Sequence, residues 1–288
     1  MPIVLPFWSM LRPMRRLVPI LFTLVAAAAA ACHQSDPAWS LTPASGAPGE
    51  PTIAGEPLPV GRLSTAPVLD GKLDDPAWAG ASVLGPLVDP GTGAAATSHP
   101  VAAWARIGWD DQHLFVGVVV RDRAPKSSFA RDAIDPHVWG SSSGIELVMQ
   151  PGDPGDNRDY YELQVDVAGA VFDSHFDDYN APATAAGAAR VFGHQEWSSG
   201  VERASYLKNG SFYTVELAVP WSAFAPARVP IPPHAGDVWR LNLYTFRDGQ
   251  RQALAWSPLR GQGNFHRSSR FGRIRFDGPR EGPREGSK

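Results

Sequence analysis

The sequence predicts an all-β fold of one domain, an antiparallel β-sandwich, and three observations support this. Segments that alternate apolar and polar residues recur along the chain, and a period of two is typical of strands with one buried face. Gly and Pro each occur 28 times in 288 residues, as expected of a chain with many turns. Long amphipathic helical windows are missing, and the best candidate for a short helix is "ATAAGAAR" at 183–190.

The first element, residues 1–31, is predicted to be a signal peptide. Arg12, Arg15 and Arg16 precede the apolar run "LVPILFTLVAAAAAAC", which is too short for a transmembrane helix. Cys32 ends this run in "AAAC", which resembles a bacterial lipobox, whose cysteine is lipidated. We therefore expect a lipid on Cys32 and a location in the cell envelope, at the outer membrane or in the periplasm. Cleavage among the alanines, which would leave Cys32 as a free thiol, is the alternative.

Two segments that flank the folded domain have biased compositions. Residues 32–57 are rich in Pro, Ala, Gly and Ser without an apolar period, which predicts a flexible tether. Residues 278–288 repeat "GPRE" and are predicted to be disordered. The folded domain is therefore expected to span residues 58–277, which is long enough to bury a core.

Within this domain the alternation assigns side chains to strand faces. In "YYELQVDV" one face carries Tyr161, Leu163, Val165 and Val167, and the other carries Tyr160, Glu162, Gln164 and Asp166. Further strands are predicted at "LFVGVVV", "IELVM", "FYTVELAVPW" and "VWRLNLYTF". Asn209-Gly210 and Asp248-Gly249 are predicted turns.

The composition excludes several functions. The net charge is −3 and no basic stripe stands out, which argues against a nucleic-acid partner. The chain contains no P-loop, HExxH helix or Ser-His-Asp phrase. No catalytic residue is assigned, and whether the chain catalyses a reaction stays open.

Seven phrases follow one another in the order of a known family. They are "VLDGKLDDPAW", "ARIGWDDQHLFVGVVVRD", "VWGSSSGIELVM", "YYELQVDVAGAVFDS", "EWSSGVERASYLKNGSFYTVELAVPW", "GDVWRLNLYTFR" and "AWSPLRGQGNFHRSSRFGRIRF". The succession, over residues 67–276, resembles carbohydrate-binding module family 9, a DOMON-like, jelly-roll type of β-sandwich found on xylanases and bacterial surface proteins. The resemblance implies a poly- or oligosaccharide ligand, a role in carbohydrate catabolism and polysaccharide-degrading enzymes as partners.

The first phrase allows a structural and a metal-binding interpretation. In the structural one, which we favour, Asp70-Gly71 is a turn, Asp75-Pro76 caps a short helical turn and Trp78 packs into the core. Because the family often carries structural calcium, the alternative is a calcium loop that includes Asp74. The spacing does not match an EF-hand.

The resemblance also implies a binding site, in which two Trp rings clamp a sugar above a polar sheet face. Flat rings suit the C–H surface of a pyranose, and planar polar side chains suit its hydroxyl groups. Trp139 matches the first ring by motif, and Trp256 is the candidate for the second; either could instead be a core residue. The full candidate set is Trp139, Glu146, Gln164, Asn242, Tyr244, Arg247 and Trp256.

Two other functions stay open at this point. A glycoside hydrolase needs two carboxylates, for which Glu146, Glu162 and Asp173 are the candidates. A haem-binding DOMON-like domain needs axial ligands, of which Met149 is one candidate.

Two short stretches are interpreted structurally. The run "FDSHFDD" at 172–178 is predicted to be a solvated β-turn rather than a metal site. His266 is expected to tie the C-terminal loop by hydrogen bonds.

Overall fold

The computed structural model describes residues 56–179, 193–208, 210–247, 252–261 and 264–279. The signal peptide, Cys32, most of the tether, the helix candidate at 183–190, the Asp248-Gly249 turn and most of the tail lie outside these ranges. Within them, no helix is both long and apolar enough to span a membrane.

The described residues form twelve strands and three short 3₁₀ helices, and the all-β prediction is confirmed. The strands are β1 (Leu58–Arg62), β2 (Ser82–Leu84), β3 (Ala102–Trp109), β4 (His113–Arg121), β5 (Gly144–Gln150), β6 (Arg158–Asp166), β7 (Val171–Asp178), β8 (Glu202–Lys208), β9 (Phe212–Pro220), β10 (Val238–Arg247), β11 (Gln252–Ala255) and β12 (Gly272–Pro279). The 3₁₀ helices span Pro76–Gly80, Trp221–Phe224 and Ser268–Arg270.

The strands form one curled sheet in the order β7-β6-β5-β10-β12-β1-β3-β4-β9-β8, with β11 paired to β10 and β2 paired to β3. One core cluster takes side chains from both halves of the sheet, for example Val116 and Leu217 from one half and Leu147 and Leu163 from the other. The two halves therefore face each other as in a sandwich. The antiparallel prediction needs one correction, because β1 runs parallel to both β12 and β3.

The predicted alternation of faces is also confirmed. Tyr161, Leu163 and Val165 of β6 lie in the main core. So do Leu241 and Leu243 of β10. The opposite face of β5, β6 and β10 is not solvated either. It carries polar side chains that are buried under loops, and this second buried face holds the candidate site.

The first phrase of the family pattern has the structural role that we favoured. The Asp75 carboxylate accepts a hydrogen bond from Ala77 N at 2.8 Å and caps the first 3₁₀ helix. Trp78 is buried, and its indole Nε1 donates to Glu216 Oε1 at 3.0 Å. Glu216 Oε2 also accepts from Gly71 N at 2.5 Å. Glu216 of β9 therefore fastens this loop to the sheet.

The acidic residues of this loop do not fit a calcium site. Asp70 accepts from the backbone N of Lys72 and forms an ion pair with Lys72 Nζ at 2.6 Å. Asp75 is used as the helix cap. Calcium needs six to eight converging oxygen ligands. Nowhere in the described ranges do three or more His, Cys, Asp or Glu side chains form a group that could hold a metal ion.

The prediction of a β-turn at "FDSHFDD" is wrong, because this run forms most of strand β7. Phe172, Ser174 and Phe176 face the second buried face, opposite Gln164, Glu162 and Tyr160 of β6. The alternation of this run fits a strand, but its four acidic and imidazole side chains had favoured a turn.

Candidate functional site

The candidate site begins with four polar side chains on the second buried face. Glu146 lies opposite Gln164 on β6 and Tyr244 on β10, and Glu162 lies opposite Val148, two residue pairs further along. The exposed fractions are 2% for Glu146, 3% for Glu162, 1% for Gln164 and 0% for Tyr244. We call these four residues the polar face.

Hydrogen bonds among the described residues of the polar face do not reach Glu146 Oε1. Gln164 Nε2 donates to Glu162 Oε1. Gln164 Oε1 accepts from the backbone N of Trp139 at 2.8 Å, which holds the Trp139 loop against the sheet. Glu146 Oε1 is buried and has no hydrogen-bond partner in the part of the chain that the structure describes. A buried acceptor without a donor costs about 1–3 kcal/mol, more if it is charged, so this oxygen is suited to a donor from outside the chain.

Burial also changes the ionisation of the two carboxyl groups. Desolvation raises the pKa of Glu146 well above its usual value, and the neighbouring charge of Glu162 raises it further. Desolvation raises the pKa of Glu162 to about 7, opposed by the hydrogen bond from Gln164. Two carboxylates on one face cannot both ionise at little cost, so burial and mutual repulsion both favour a protonated member of the pair.

Two aromatic side chains cover the polar face. The Phe265 ring stacks on the Tyr244 ring with centroids 4.3 Å apart, and Tyr244 OH donates to Phe265 O at 3.1 Å. The half-buried Trp139 ring meets Phe265 edge to face at 6.4 Å. The site therefore combines a polar floor with two aromatic rings above it.

His266 and the serines before β5 fix the loops that carry these rings. His266 Nδ1 lies 3.0 Å from Tyr160 OH, which confirms its predicted role in tying the C-terminal loop. Ser142 Oγ accepts from Ser128 N at 2.8 Å, and Ser143 Oγ accepts from Lys126 N at 3.1 Å. The serines in "WGSSSG" thus hold the Trp139 loop to residues 126–128.

Four of the seven candidate residues lie together in this site: Trp139, Glu146, Gln164 and Tyr244. Trp256 does not, because it is 3% exposed and its ring packs in the core. A Cβ atom on Gly272 would lie 2.4 Å from that ring. The prediction of Trp256 as an open stacking ring is therefore wrong.

Asn242 and Arg247 also have other roles than ligand binding. The Asn242 side chain is fully buried, with Oδ1 accepting from Ser257 N at 2.8 Å and Nδ2 donating to Ser257 O at 2.9 Å. Both ends of its amide are occupied. Arg247 Nε lies 3.3 Å from both carboxylate oxygens of the buried Asp122, which follows β4. Three residues beyond Tyr244, it falls on the other face of β10.

Of the three carboxylate candidates for a hydrolase, Glu146 and Glu162 lie together on the polar face, whereas Asp173 does not. Asp173 lies on the face of β7 opposite to that of Ser174, and its Oδ2 accepts from Ser199 N and Oγ at 2.8 and 2.6 Å. It is therefore separated from the polar face. Met149 is fully buried in the main core among aliphatic and aromatic side chains.

Phe265 is a site residue that the strand pattern missed. It belongs to the loop before the third 3₁₀ helix, and period-two alternation carries no information there. The available signal is the phrase "NFHRSSRFG" itself, which sets an aromatic residue next to His266 inside the family pattern.

Comparisons with known proteins agree with this architecture. The chain is similar to a candidate carbohydrate-binding protein from Bacteroides uniformis ATCC 8492, with 21% identity, a TM-score of 0.59 and coverage of 76% of this chain and 98% of that one. It is also similar to a carbohydrate binding module family 9 from Caldicellulosiruptor kristjanssonii solved with cellotriose, with 16% identity, a TM-score of 0.51 and coverage of 77% and 93%.

A carbohydrate binding module family 9 from the same organism, solved with glucose, gives 16% identity, a TM-score of 0.52 and coverage of 79% and 98%. Comparison with curated proteins gives no match. The family model described as "Carbohydrate family 9 binding domain-like" matches residues 69–278, which is most of the chain. The chain therefore belongs to the carbohydrate family 9 binding domain-like family.

Proposed function

We propose that this chain is a carbohydrate-binding domain whose polar face takes a poly- or oligosaccharide. The observation that carries the proposal is the combination of a buried Glu146 oxygen that has no partner among the described residues with a group of aromatic rings beside it, in which Phe265 stacks on the neighbouring Tyr244 and Trp139 meets Phe265. A pyranose offers hydroxyl donors to such an oxygen and a C–H face to an indole ring. The family, and the two sugars bound by the Caldicellulosiruptor module, support a saccharide as the ligand.

Access to the polar face requires movement of the loop that carries Phe265. Glu146 and Glu162 are almost fully covered, and Phe265 stacks over Tyr244. A sugar can therefore reach the carboxyl groups only when Phe265 leaves Tyr244. In the bound state the sugar then occupies the space over Tyr244 and packs against Trp139.

The experiment that tests this proposal is a paired measurement of affinity and stability. A glycan array identifies a bound oligosaccharide, and calorimetry then compares the protein with its Trp139→Ala variant. Loss of a stacking ring at the centre of a site typically costs at least 2 kcal/mol, so we expect an affinity loss of about thirtyfold or more. The melting temperature should change little, because Trp139 is only half-buried.

The control is Trp104→Ala. Trp104 is a half-buried tryptophan of β3 that packs against a hydrophobic cluster separate from the polar face. It should bind the oligosaccharide as the parent protein does. An unchanged affinity in Trp139→Ala, or an absence of any bound glycan on the array, would overturn the proposal.

For the location of the protein, we propose export by the segment 1–31 and a lipid on Cys32 that anchors it to the cell envelope. There it would hold a saccharide near polysaccharide-degrading enzymes. The support is the sequence pattern of basic residues, apolar run and "AAAC". Cys32→Ser should move the protein from the membrane fraction to the soluble fraction; unchanged partitioning would contradict the anchor.

A further inference from the structure

The polar face carries two acidic groups but no basic group to compensate them. Glu146 and Glu162 are diagonal neighbours on β5 and β6, and both are almost fully buried. Among the described residues, no Lys or Arg lies within ion-pair distance of either carboxylate, and the basic group nearest to them is His266, with Nε2 4.0 Å from Glu162 Oε2. His266 is also engaged with Tyr160 OH.

Other buried acidic groups in this fold are compensated. Asp122 has the Arg247 guanidinium, Asp173 has two donors from Ser199, and Glu216 has donors from Gly71 and Trp78. Among the residues that the structure describes, one oxygen of the Glu146–Glu162 pair accepts a hydrogen bond, Glu162 Oε1 from Gln164 Nε2. Within the described residues, this pair of buried carboxylates therefore has fewer hydrogen-bond donors than the other buried acidic groups and no Lys or Arg partner.

A protonated amine is the ligand group that would best compensate this pair. It brings one positive charge and three donors, so it can contact both carboxylates at once and supply the missing donor to Glu146 Oε1. A hydroxyl brings a single donor and no charge, and an acetamide brings one N–H and added bulk. Hydrogen bonds between charged partners are roughly twice as strong as those between neutral ones.

We propose that the saccharide bound by the polar face carries a free amino group, as glucosamine units do, and that this amine sits between Glu146 and Glu162. This inference rests on the proposed saccharide-binding function and specifies the class of sugar. Besides the two carboxyl groups, the titratable groups facing the amine are His266, Tyr160 and Tyr244. Both tyrosines are fully buried, and Tyr244 OH donates to Phe265 O.

Three β-1,4-linked trisaccharides that differ at C2 test this inference. Chitotriose with free amines, its fully N-acetylated form and cellotriose present an amine, an acetamide and a hydroxyl group on the same type of chain. Calorimetry on the purified protein near neutral pH should give an affinity for the free-amine trimer at least about tenfold higher than for the other two. Methylammonium, an amine without a sugar, should bind far more weakly.

Two variants connect the discrimination to the carboxyl groups. Glu146→Gln and Glu162→Gln keep shape and remove the acid, so each should reduce the tenfold preference to about one. Glu202→Gln, the same change at an exposed position of β8, should keep it. A second readout is the proton balance. When the amine binds already protonated and a protonated carboxyl group ionises beside it, the carboxyl proton passes to the buffer, so the measured enthalpy should depend on the buffer only for the free-amine trimer.

Each outcome is decisive. If the N-acetylated trimer or cellotriose binds as tightly as the free-amine trimer, the amine inference is wrong while the saccharide function stands. If methylammonium binds as tightly as the trimer, the site recognises amines and not sugars. If none of the three trisaccharides binds, the amine inference is wrong, and the glycan array alone decides the saccharide function.

Discussion

The shared protonation of Glu146 and Glu162 makes the stability of the domain depend on pH. Burial raises the pKa of Glu162 from 4.5 to about 7 and raises that of Glu146 well above 4.5. Between pH 4.5 and about 7 the two carboxyl groups keep protons in the folded state that they have already released in the unfolded state. The free energy of unfolding should therefore fall as pH rises from about 4.5 through about 7.

The Glu146→Gln variant checks this dependence. Glutamine cannot ionise, so the variant lacks the contribution that the raised pKa of Glu146 makes to this decline. Urea denaturation of the variant across this pH range should therefore give a smaller decline than that of the parent protein, with Glu202→Gln as a control that declines like the parent. A decline in Glu146→Gln as steep as in the parent would contradict the shared burial of the two groups.

The core position of Trp256 leads to a second residue-scale prediction. Truncation of a buried tryptophan to alanine typically costs about 3–5 kcal/mol, so Trp256→Ala should strongly lower the denaturant midpoint. Gly272→Ala should also destabilise the domain, because the added Cβ would lie 2.4 Å from the indole ring. Chemical denaturation measures both variants. Stability of Trp256→Ala equal to that of Trp104→Ala would show that the ring is not a core residue.

At this scale, the sequence was informative where alternation applied. Glu146, Gln164 and Tyr244 lie on the predicted faces because strand geometry fixes the direction of every second side chain. The same parity excludes Arg247, which stands an odd number of positions after Tyr244. Asn242 also lies on the predicted face, but alternation does not show that Ser257 occupies both ends of its amide. Trp256 could not be assigned in this way, since alternation does not tell which of two buried faces binds a ligand. Phe265 lies in a loop, where the pattern gives no direction.

At the scale of elements, the loop of the first family phrase depends on one carboxylate. Glu216 accepts hydrogen bonds from Gly71 N and Trp78 Nε1, and both donors are buried. Glu216→Leu leaves both without an acceptor, and each such loss costs about 1–3 kcal/mol. Glu216→Gln keeps one acceptor oxygen, so it should cost roughly half as much.

Thermal denaturation of the two Glu216 variants tests this role. The expected order of melting temperatures is parent, then Glu216→Gln, then Glu216→Leu. Equal stability of the leucine and glutamine variants would mean that the loop is held by packing of Trp78 and Leu73 alone.

The strands themselves were largely predictable, but their partners were not. Runs such as "FYTVELAVPW" have a strong local signal, and β9 spans most of that run. The pairing of β1 with β12 joins residues more than 200 positions apart. Local patterns carry no information about such a contact, and the parallel direction of this pair is the point at which the antiparallel prediction failed.

At the scale of the whole molecule, β12 is a central strand rather than a terminal appendage. It pairs with β10 on one side and β1 on the other, and Ile274 and Phe276 are fully buried in the main core. A chain that ends at residue 271 should therefore fail to fold, whereas a chain that ends at residue 279 should keep its melting transition. Circular dichroism and a melting curve distinguish the two; a cooperative transition in the shorter chain would contradict the central role of β12.

The parallel pairing of β1 and β12 also has a mechanical consequence. Leu58 lies beside Ile274 and Arg62 lies beside Pro279, so the chain enters this strand pair at one end and leaves it at the other. A force that pulls the two ends of the domain apart acts along the strands in opposite directions. It loads the interstrand hydrogen bonds in shear, all together, rather than peeling them one after another.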